Sequence, residues 1–219
     1  MFGKNKILKP ENGDGLKLKV QEIFATFQGE GPYVGYPSVF VRLGGCNLTC
    51  DFCDTEFDDF VEFTLDEIIA KIILLAKNCE LIVISGGEPL RQPIAPLCQK
   101  LIDCGFLVQI ETNGTIFRKI PRQVKIICSP KTANGKYHQI RPDLLSRINA
   151  FKFIISANKK EYSDIAEIGQ AQIKAPIYLQ PMDEYDDAKN RANIELTLKL
   201  AQKYGVRISL QIHKILGIA

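Results

Sequence analysis

No apolar run in this chain reaches the roughly 20 residues needed to cross a bilayer, so neither a spanning helix nor a membrane partner is expected. The opening Met1-Phe2-Gly3-Lys4-Asn5-Lys6 also lacks the apolar stretch of a secretory leader. An excess of either charge is missing too. With 28 Lys and Arg against 25 Asp and Glu, the net charge of +3 is too mild to argue for nucleic acid or an anionic surface. There is no internal repeat, low-complexity segment or long charge block. A cytoplasmic protein is the expectation.

Seven cysteines are present, an odd number that rules out a complete internal disulfide framework. Three of them crowd into the stretch from Cys46 to Cys53, while Cys79, Cys98, Cys104 and Cys128 are scattered. In a reducing compartment a tight cysteine group reads as metal-binding. The scattered four read as small buried apolar residues.

At 219 residues, 46% apolar and 24% charged, the composition is that of a globular protein able to bury a core without staples. Residues 1–14 read as a flexible arm and 15–219 as one domain. Short runs rich in Val, Ile and Phe mark strands at 17–24, 38–43, 81–85, 106–111, 124–128, 151–155, 177–180 and 207–212. Thr64-Leu65-Asp66-Glu67 is a capping box that opens a helix to about residue 77, with Leu65, Ile68, Ile69, Ile72 and Ile73 as its apolar stripe. Helices at 94–104 and 187–204 stop at Gly105 and Gly205. Strand–helix alternation implies an α/β fold with a mainly parallel sheet and right-handed crossovers. The pattern does not decide between an open sheet and a partial barrel.

In such folds reactive groups gather at the carboxyl ends of the parallel strands. Polar or glycine-rich motifs fall after Leu43, Ile84, Ile110, Ile127 and Leu179, which places one site at one edge of the sheet. The run Gly44-Gly45-Cys46-Asn47-Leu48-Thr49-Cys50-Asp51-Phe52-Cys53-Asp54-Thr55 follows a strand directly. Three thiolates so spaced can wrap one compact cluster, with the two glycines bending the entry. A closed zinc site is the competing reading, but it wants four ligands, and a fourth has no neighbour in sequence.

Cys-x3-Cys-x2-Cys with an aromatic before the last cysteine resembles the signature of the radical S-adenosylmethionine superfamily. The resemblance implies a partial, abbreviated (β/α) barrel and a [4Fe–4S] cluster on Cys46, Cys50 and Cys53 that cleaves S-adenosylmethionine. The cofactor would carry the hard chemistry while the protein orients it. Ser85-Gly86-Gly87-Glu88-Pro89 resembles the superfamily element that meets the methionine amino group. Glu111-Thr112-Asn113-Gly114-Thr115 is similar to the segment facing the ribose, although an Asn-Gly turn reads equally as a hairpin signal. Ser129-Pro130-Lys131 and Gln180-Pro181-Met182 would complete that wall, and Phe52 and Asp54 would border the cofactor.

Two end segments narrow the resemblance to the 7-carboxy-7-deazaguanine synthase family: Glu22 to Pro32, containing Phe27-Gln28-Gly29-Glu30, and Arg207 to Ala219, together with Cys53-Asp54-Thr55. That family implies radical ring contraction of 6-carboxy-5,6,7,8-tetrahydropterin to 7-carboxy-7-deazaguanine with loss of ammonia, towards queuosine and related deazapurines. Hydrogen abstraction at C6 would start the reaction, and S-adenosylmethionine would be regenerated. Gln28, which carries both donor and acceptor, would read a pterin edge. Glu30 would take ring N–H groups, and Arg42 would fork onto the substrate carboxylate. Phe27, Gly29, Ser85, His213 and the Ala219 carboxylate would complete the substrate pocket. Thr55 would give a hydroxyl to Mg²⁺, which keeps much of its own water. Arg42, Thr55, His213 and residues 28–32 also have plain readings: an acid partner for Arg42, a helix cap for Thr55, a core or surface histidine for His213, and a glycine-rich loop for residues 28–32. Many family members insert residues between the first two cysteines, whereas this chain keeps the short spacing. Exposed cofactor edges would suit a homodimer, or docking of a reductant such as flavodoxin or ferredoxin. A small radical activase, which makes a glycyl radical on a protein partner, shares the cysteine loop but does not call for Gln28–Glu30 with Arg42. A non-catalytic zinc module is the remaining alternative.

Overall fold

The computed structural model describes residues 5–53, 55 and 57–218. In chain order the chain forms β1 (Lys17–Phe27), β2 (Pro37–Leu43), β3 (Val61–Thr64), α1 (Leu65–Leu75), β4 (Leu81–Gly86) and α2 (Ala95–Asp103). Then follow β5 (Leu107–Thr112), β6 (Lys125–Cys128), a small hairpin of β7 (Thr132–Ala133) and β8 (Lys136–Tyr137), and α3 (Pro142–Leu145). The chain continues through β9 (Ile148–Ile155), α4 (Gln170–Ile173), β10 (Ile177–Pro181), α5 (Asp187–Tyr204), β11 (Arg207–Ile208) and α6 (Ile212–Leu216).

Nine strands make one sheet in the order β11-β10-β9-β6-β5-β4-β2-β1-β3. From β2 to β11 every neighbouring pair is parallel, and β1 runs antiparallel to both β2 and β3. β4 shows why the apolar runs are uninterrupted. Leu81, Ile82, Val83 and Ile84 are all fully buried, because a central parallel strand has helices on one face and the site-bearing interior on the other. One apolar core runs from Leu18 to Ala201.

The sheet curls. Although β1 and β11 lie near opposite edges, the turn after β1 meets the tail after β11. Gly31 N–H donates to Ser209 Oγ at 2.8 Å, and Ile212 N–H donates to the Gly29 carbonyl at 3.1 Å. The architecture is therefore a partial barrel closed on one rim by side chains and loops.

The capping box forms as read: Thr64 Oγ1 accepts from Glu67 N–H and the Glu67 carboxylate accepts from Thr64 N–H. Helix α1 buries Leu65, Ile68, Ile69 and Ile72, but Ile73 is 55% exposed, because it lies one residue beyond the stripe. Gly105 (φ +87°) and Gly205 (φ +63°) take the left-handed conformation expected after a helix.

Three expectations are corrected. The strand expected at 207–212 lasts two residues. Ser209 N–H still reaches the Leu179 carbonyl, but with no further strand to pair with, the chain turns into α6. Cys104, read as buried, is exposed at the end of α2, whereas Cys98 and Cys128 are core residues as expected. The segment read as a flexible arm is hydrogen-bonded to the body from Asn5 onward. Ile7 bridges to Cys46, Leu8 N–H donates to the Cys46 carbonyl at 2.7 Å, and Glu11 N–H donates to the Arg91 carbonyl at 2.7 Å.

Arg91 anchors that arm. It is 1% exposed, pairs with Glu11 at 2.6 Å, and donates to the Gly44 carbonyl at 2.9 Å and to the Lys9 carbonyl at 3.2 Å. Removing one member of a buried pair leaves the other groups unsatisfied. Arg91→Met is expected to lower the unfolding free energy by about 3 kcal/mol in denaturant titration, with faster amide exchange at residues 8–11.

Candidate active site

The carboxyl ends of the parallel strands enclose a single cavity. It is lined by Cys46, Cys50 and Cys53, by Ser85 and Gly86 of β4 and the Gly87 that follows, and by Glu111 to Asn113. Ser129, Lys131, Gln180, Gln28 to Glu30 and His213 line it as well. The rule that collects polar motifs at strand ends thus brings together segments spread over most of the chain.

Its rim depends on a glycine seam. Gly87 N–H donates to the Leu43 carbonyl and Glu88 N–H to the Gly45 carbonyl, each at 3.1 Å. A Cβ on Gly86 (φ +113°) would lie 2.2 Å from the Leu43 oxygen, and one on Gly87 would lie 2.0 Å from the Gly45 oxygen. Only glycine lets these two strand ends touch. The cysteine loop is thereby held directly against the Gly86-Gly87 turn.

Cys46 is buried, and Cys50 and Cys53 are half-buried. Burial pushes the Cys46 thiol up to about 12, and burial also raises Cys50. Such thiols become thiolates only against strong positive charge, which iron supplies. Three thiols lining one cavity, beside a side-chain-free glycine turn, are chemically the donor set that a cluster takes, with room for a ligand next to it. Asn5 steadies the loop: its amide donates to the Thr55 carbonyl at 2.8 Å and to Cys53 Sγ at 3.7 Å, and its oxygen accepts from Phe57 N–H. Nothing in the sequence around Asn5 signals this contact.

Glu88, expected at the methionine end of the cofactor, is buried, and its carboxylate braces neighbouring strand ends. Its buried carboxylate accepts from Leu90 N–H (3.0 Å), Thr112 Oγ1 (2.8 Å) and Asn113 N–H (2.7 Å), tying the end of β4 to the end of β5. Burial drives its carboxyl up to about 7, against the pull of those donors. Asn113 extends the tie to the cysteine loop by donating to Asn47 Oδ1 at 3.0 Å, while Asn47 donates to Thr115 at 2.8 Å. The Asn-Gly pair is therefore a strand-end turn rather than a hairpin, since β5 and β6 are parallel.

The floor carries charge. Lys152 of β9, 4% exposed, places Nζ against the Glu30 carboxylate and 2.9 Å from Glu111 Oε2. Gln211 donates to Glu30 Oε1 at 2.7 Å, and Gln28 and Gln109 donate to Glu111 Oε1 at 3.1 and 3.0 Å. Burial alone would raise Glu30; the Lys152 ammonium, the hydrogen bonds and the nearby His213 outweigh it and hold the carboxyl at about 2. Lys152 itself is driven up by the two carboxylates despite its burial. Gln28, expected to read a ligand edge, spends both ends of its amide internally, its Oε1 accepting from Glu30 N–H at 3.1 Å.

Other residues of the wall border the same cavity. Arg42 lines the cavity yet pairs with Glu22 at 2.9 Å and lies over the Phe24 ring, so the plain reading of an acid partner also holds. Lys131 Nζ bonds Ser129 Oγ at 2.7 Å, and Gln180 Oε1 accepts from Ser209 Oγ at 3.1 Å. Phe52 meets the Tyr162 ring edge-on at 5.1 Å. Phe27, Ser85 and Thr55 all border the space. Gly29 is required by His213: a Cβ there would lie 2.1 Å from its Nδ1. Asp54 and Ala219 lie outside the described residues.

Comparison with known proteins gives one concordant picture. The model of the radical SAM superfamily matches residues 40–160. A 7-carboxy-7-deazaguanine synthase from Rickettsia prowazekii is 55% identical, covering 100% of this chain and 96% of its own length. One from Rhodospirillum rubrum is 39% identical with full coverage of both. The crystal structure of QueE from Escherichia coli superposes with a TM-score of 0.71 at 24% identity, covering 89% of this chain and 94% of that one.

Two expectations follow from the geometry. Gly29→Ala is expected to push α6 off the cavity mouth, read as earlier proteolytic cleavage within residues 210–218 with little change in global stability. Glu88 has a folded value above the ordinary 4.5, so the stability it contributes is complete below 4.5 and is lost as pH rises through about 7. Metal-free Glu88→Gln should escape that loss. Over this interval the wild type should weaken by about 3 kcal/mol relative to the variant in denaturant titrations.

Proposed function

The chain belongs to the 7-carboxy-7-deazaguanine synthase family of the radical SAM superfamily, and on that footing we propose how its cavity makes 7-carboxy-7-deazaguanine from 6-carboxy-5,6,7,8-tetrahydropterin. The protein is a lyase, and its family implies a [4Fe–4S] cluster and S-adenosylmethionine. Cys46, Cys50 and Cys53 would hold the cluster, which when reduced and bound supplies the electron that cleaves S-adenosylmethionine into the initiating radical. Every other task falls to the chain's own residues.

Gly86 and Gly87 leave space for the methionine end, and their exposed backbone suits its ammonium. Ser129, Lys131 and Gln180 line the cavity and would hold the sugar and carboxylate portions, with Phe52 against Tyr162 as an apolar side wall. Asp54 belongs to the same family pattern. On the substrate side, Arg42 offers a fork to the carboxylate, sharing it with Glu22, and Glu30 accepts ring N–H groups. Gln28 acts one step back by fixing Glu30 and Glu111. His213 closes the mouth over Gly29, and the family pattern would add the Ala219 carboxylate, which lies outside the described residues. Thr55 borders the cavity and would give one hydroxyl to Mg²⁺ carrying water and substrate oxygens.

The observation that carries this reading is that one cavity joins the three cysteines to the Glu30–Lys152–Glu111 floor. Such a built, charged floor suits a small polar heterocycle and disfavours an activase, whose target is a protein backbone. Among the described residues no helix is long and apolar enough to cross a membrane. We place the enzyme in the cytoplasm as one domain from residue 15 to 219, without nucleic-acid partners. It would be reduced by a flavodoxin or ferredoxin and would work as a homodimer, for which the exposed Ile208, Leu210, Ile215 and Leu216 offer apolar surface.

The test uses anaerobically reconstituted protein with dithionite, S-adenosylmethionine, Mg²⁺ and the pterin, following 7-carboxy-7-deazaguanine by mass. Product is expected from the wild type and none from Cys50→Ala. Release of 5′-deoxyadenosine without product would overturn the substrate and bring the activase forward. An iron-free, inactive protein would overturn the reading as a whole.

A further inference from the structure

Lys152 is a lysine inside an otherwise apolar strand, flanked by the fully buried Phe151 and Phe153. Its ammonium is the point where two carboxylates from different elements meet: Glu30, from the turn after β1, and Glu111, from β5. Their other oxygens are held by amides, from Gln211 on Glu30 and from Gln28 and Gln109 on Glu111. Three charges and three amides are thus locked together on the cavity floor. Two carboxylates against one ammonium leave a surplus of one negative charge there.

A buried ionic group of this kind is weak evidence for stability, since apolar residues of similar volume serve a core at least as well. Its placement at the cavity rather than in the core directs attention to the ligand. The 2-amino-4-oxopyrimidine ring of a pterin presents a row of N–H donors, which a carboxylate held ionised and at fixed orientation can accept. Lys152 is the group that both carboxylates share, so its ammonium fixes where each of them points.

We propose, resting on the function above, that Lys152 is the positioning residue for substrate recognition, holding the Glu30 and Glu111 carboxylates in one fixed orientation towards the donor edge of the pterin ring. The low value of the Glu30 carboxyl is consistent with that role. His213 of α6 is the other titratable group facing Glu30. Elsewhere on the wall Arg42 is paired with Glu22, Asp183 with Lys214, and Lys131 is bonded to Ser129.

The test measures KM and kcat for 6-carboxytetrahydropterin in wild type, Lys152→Met and Lys152→Arg. Lys152→Met should raise KM about tenfold or more, a larger change than in kcat, because uniform binding is what is lost. Lys152→Arg, which keeps a cation between the two carboxylates, should recover most of that loss. A Lys152→Met KM equal to that of wild type, or a Lys152→Arg KM no better than that of Lys152→Met, would overturn the proposal. Should Lys152→Met fail to fold, a folded Lys152→Arg with a KM near that of wild type supports the proposal, and failure of both to fold assigns Lys152 to the fold and overturns it. Failure of the underlying function looks different, because the wild type itself would then turn over no pterin.

Discussion

The close backbone approach between the ends of β2 and β4 is the constraint on which the rest of the site depends. Gly86 and Gly87 press against Leu43 and Gly45 at distances no side chain tolerates, and two backbone hydrogen bonds close the seam. From this contact the rim is built outward. Arg91 and Gln92 grip the Gly44 carbonyl from below, at 2.9 and 3.1 Å, and Glu88 carries the tie across to β5. Asn113 and Asn47 return it to the cysteine loop. The cysteines are thus positioned by a belt of backbone and amide contacts, and the residues that position them are mostly not those that would touch a ligand.

The site divides into two electrostatic regions. Near the cysteines burial raises the Cys46 and Cys50 thiols. On the floor, charges are already present, with Lys152 between two carboxylates. On the proposed function the first region would take the cluster and the second the donor edge of the heterocycle. The curl of the sheet unites them: β9 and β5 carry Lys152 and Glu111, while the contact between the turn after β1 and the tail after β11 brings in Glu30 and Gln211.

How much of this was legible in the sequence depended on range. The capping box at Thr64, the fully apolar run of β4 and the spacing of the three cysteines are local patterns, and each reads directly as structure. The gathering of polar motifs at strand ends followed from the α/β rule once the strands were placed. The tail was misread because apolar residues at 208, 210 and 212 alternate like a strand, while nothing local reveals that no strand waits beyond β11. Asn5 and Arg91 act on partners far along the chain, so their roles were invisible. Lys152 left one faint signal, a lone charge within an apolar strand. Its partners Glu30 and Glu111 lie 122 and 41 residues away, and only the curl of the sheet selects them. Glu88 was legible as a strand-end carboxylate, but motif position does not reveal the Thr112 and Asn113 donors that brace it.

The glycine seam makes a claim that can be tested apart from turnover. Electron paramagnetic resonance of the reduced, reconstituted protein, with and without S-adenosylmethionine, reads the cluster and its access to cofactor in one experiment. In Gly87→Ala the three cysteines remain, so the cluster should assemble and give its signal. The change that S-adenosylmethionine produces in the wild-type spectrum should be absent, because the turn is forced away from the Gly45 carbonyl. A Gly87→Ala spectrum that responds to S-adenosylmethionine as the wild type does would contradict the account that this seam fixes the cofactor site.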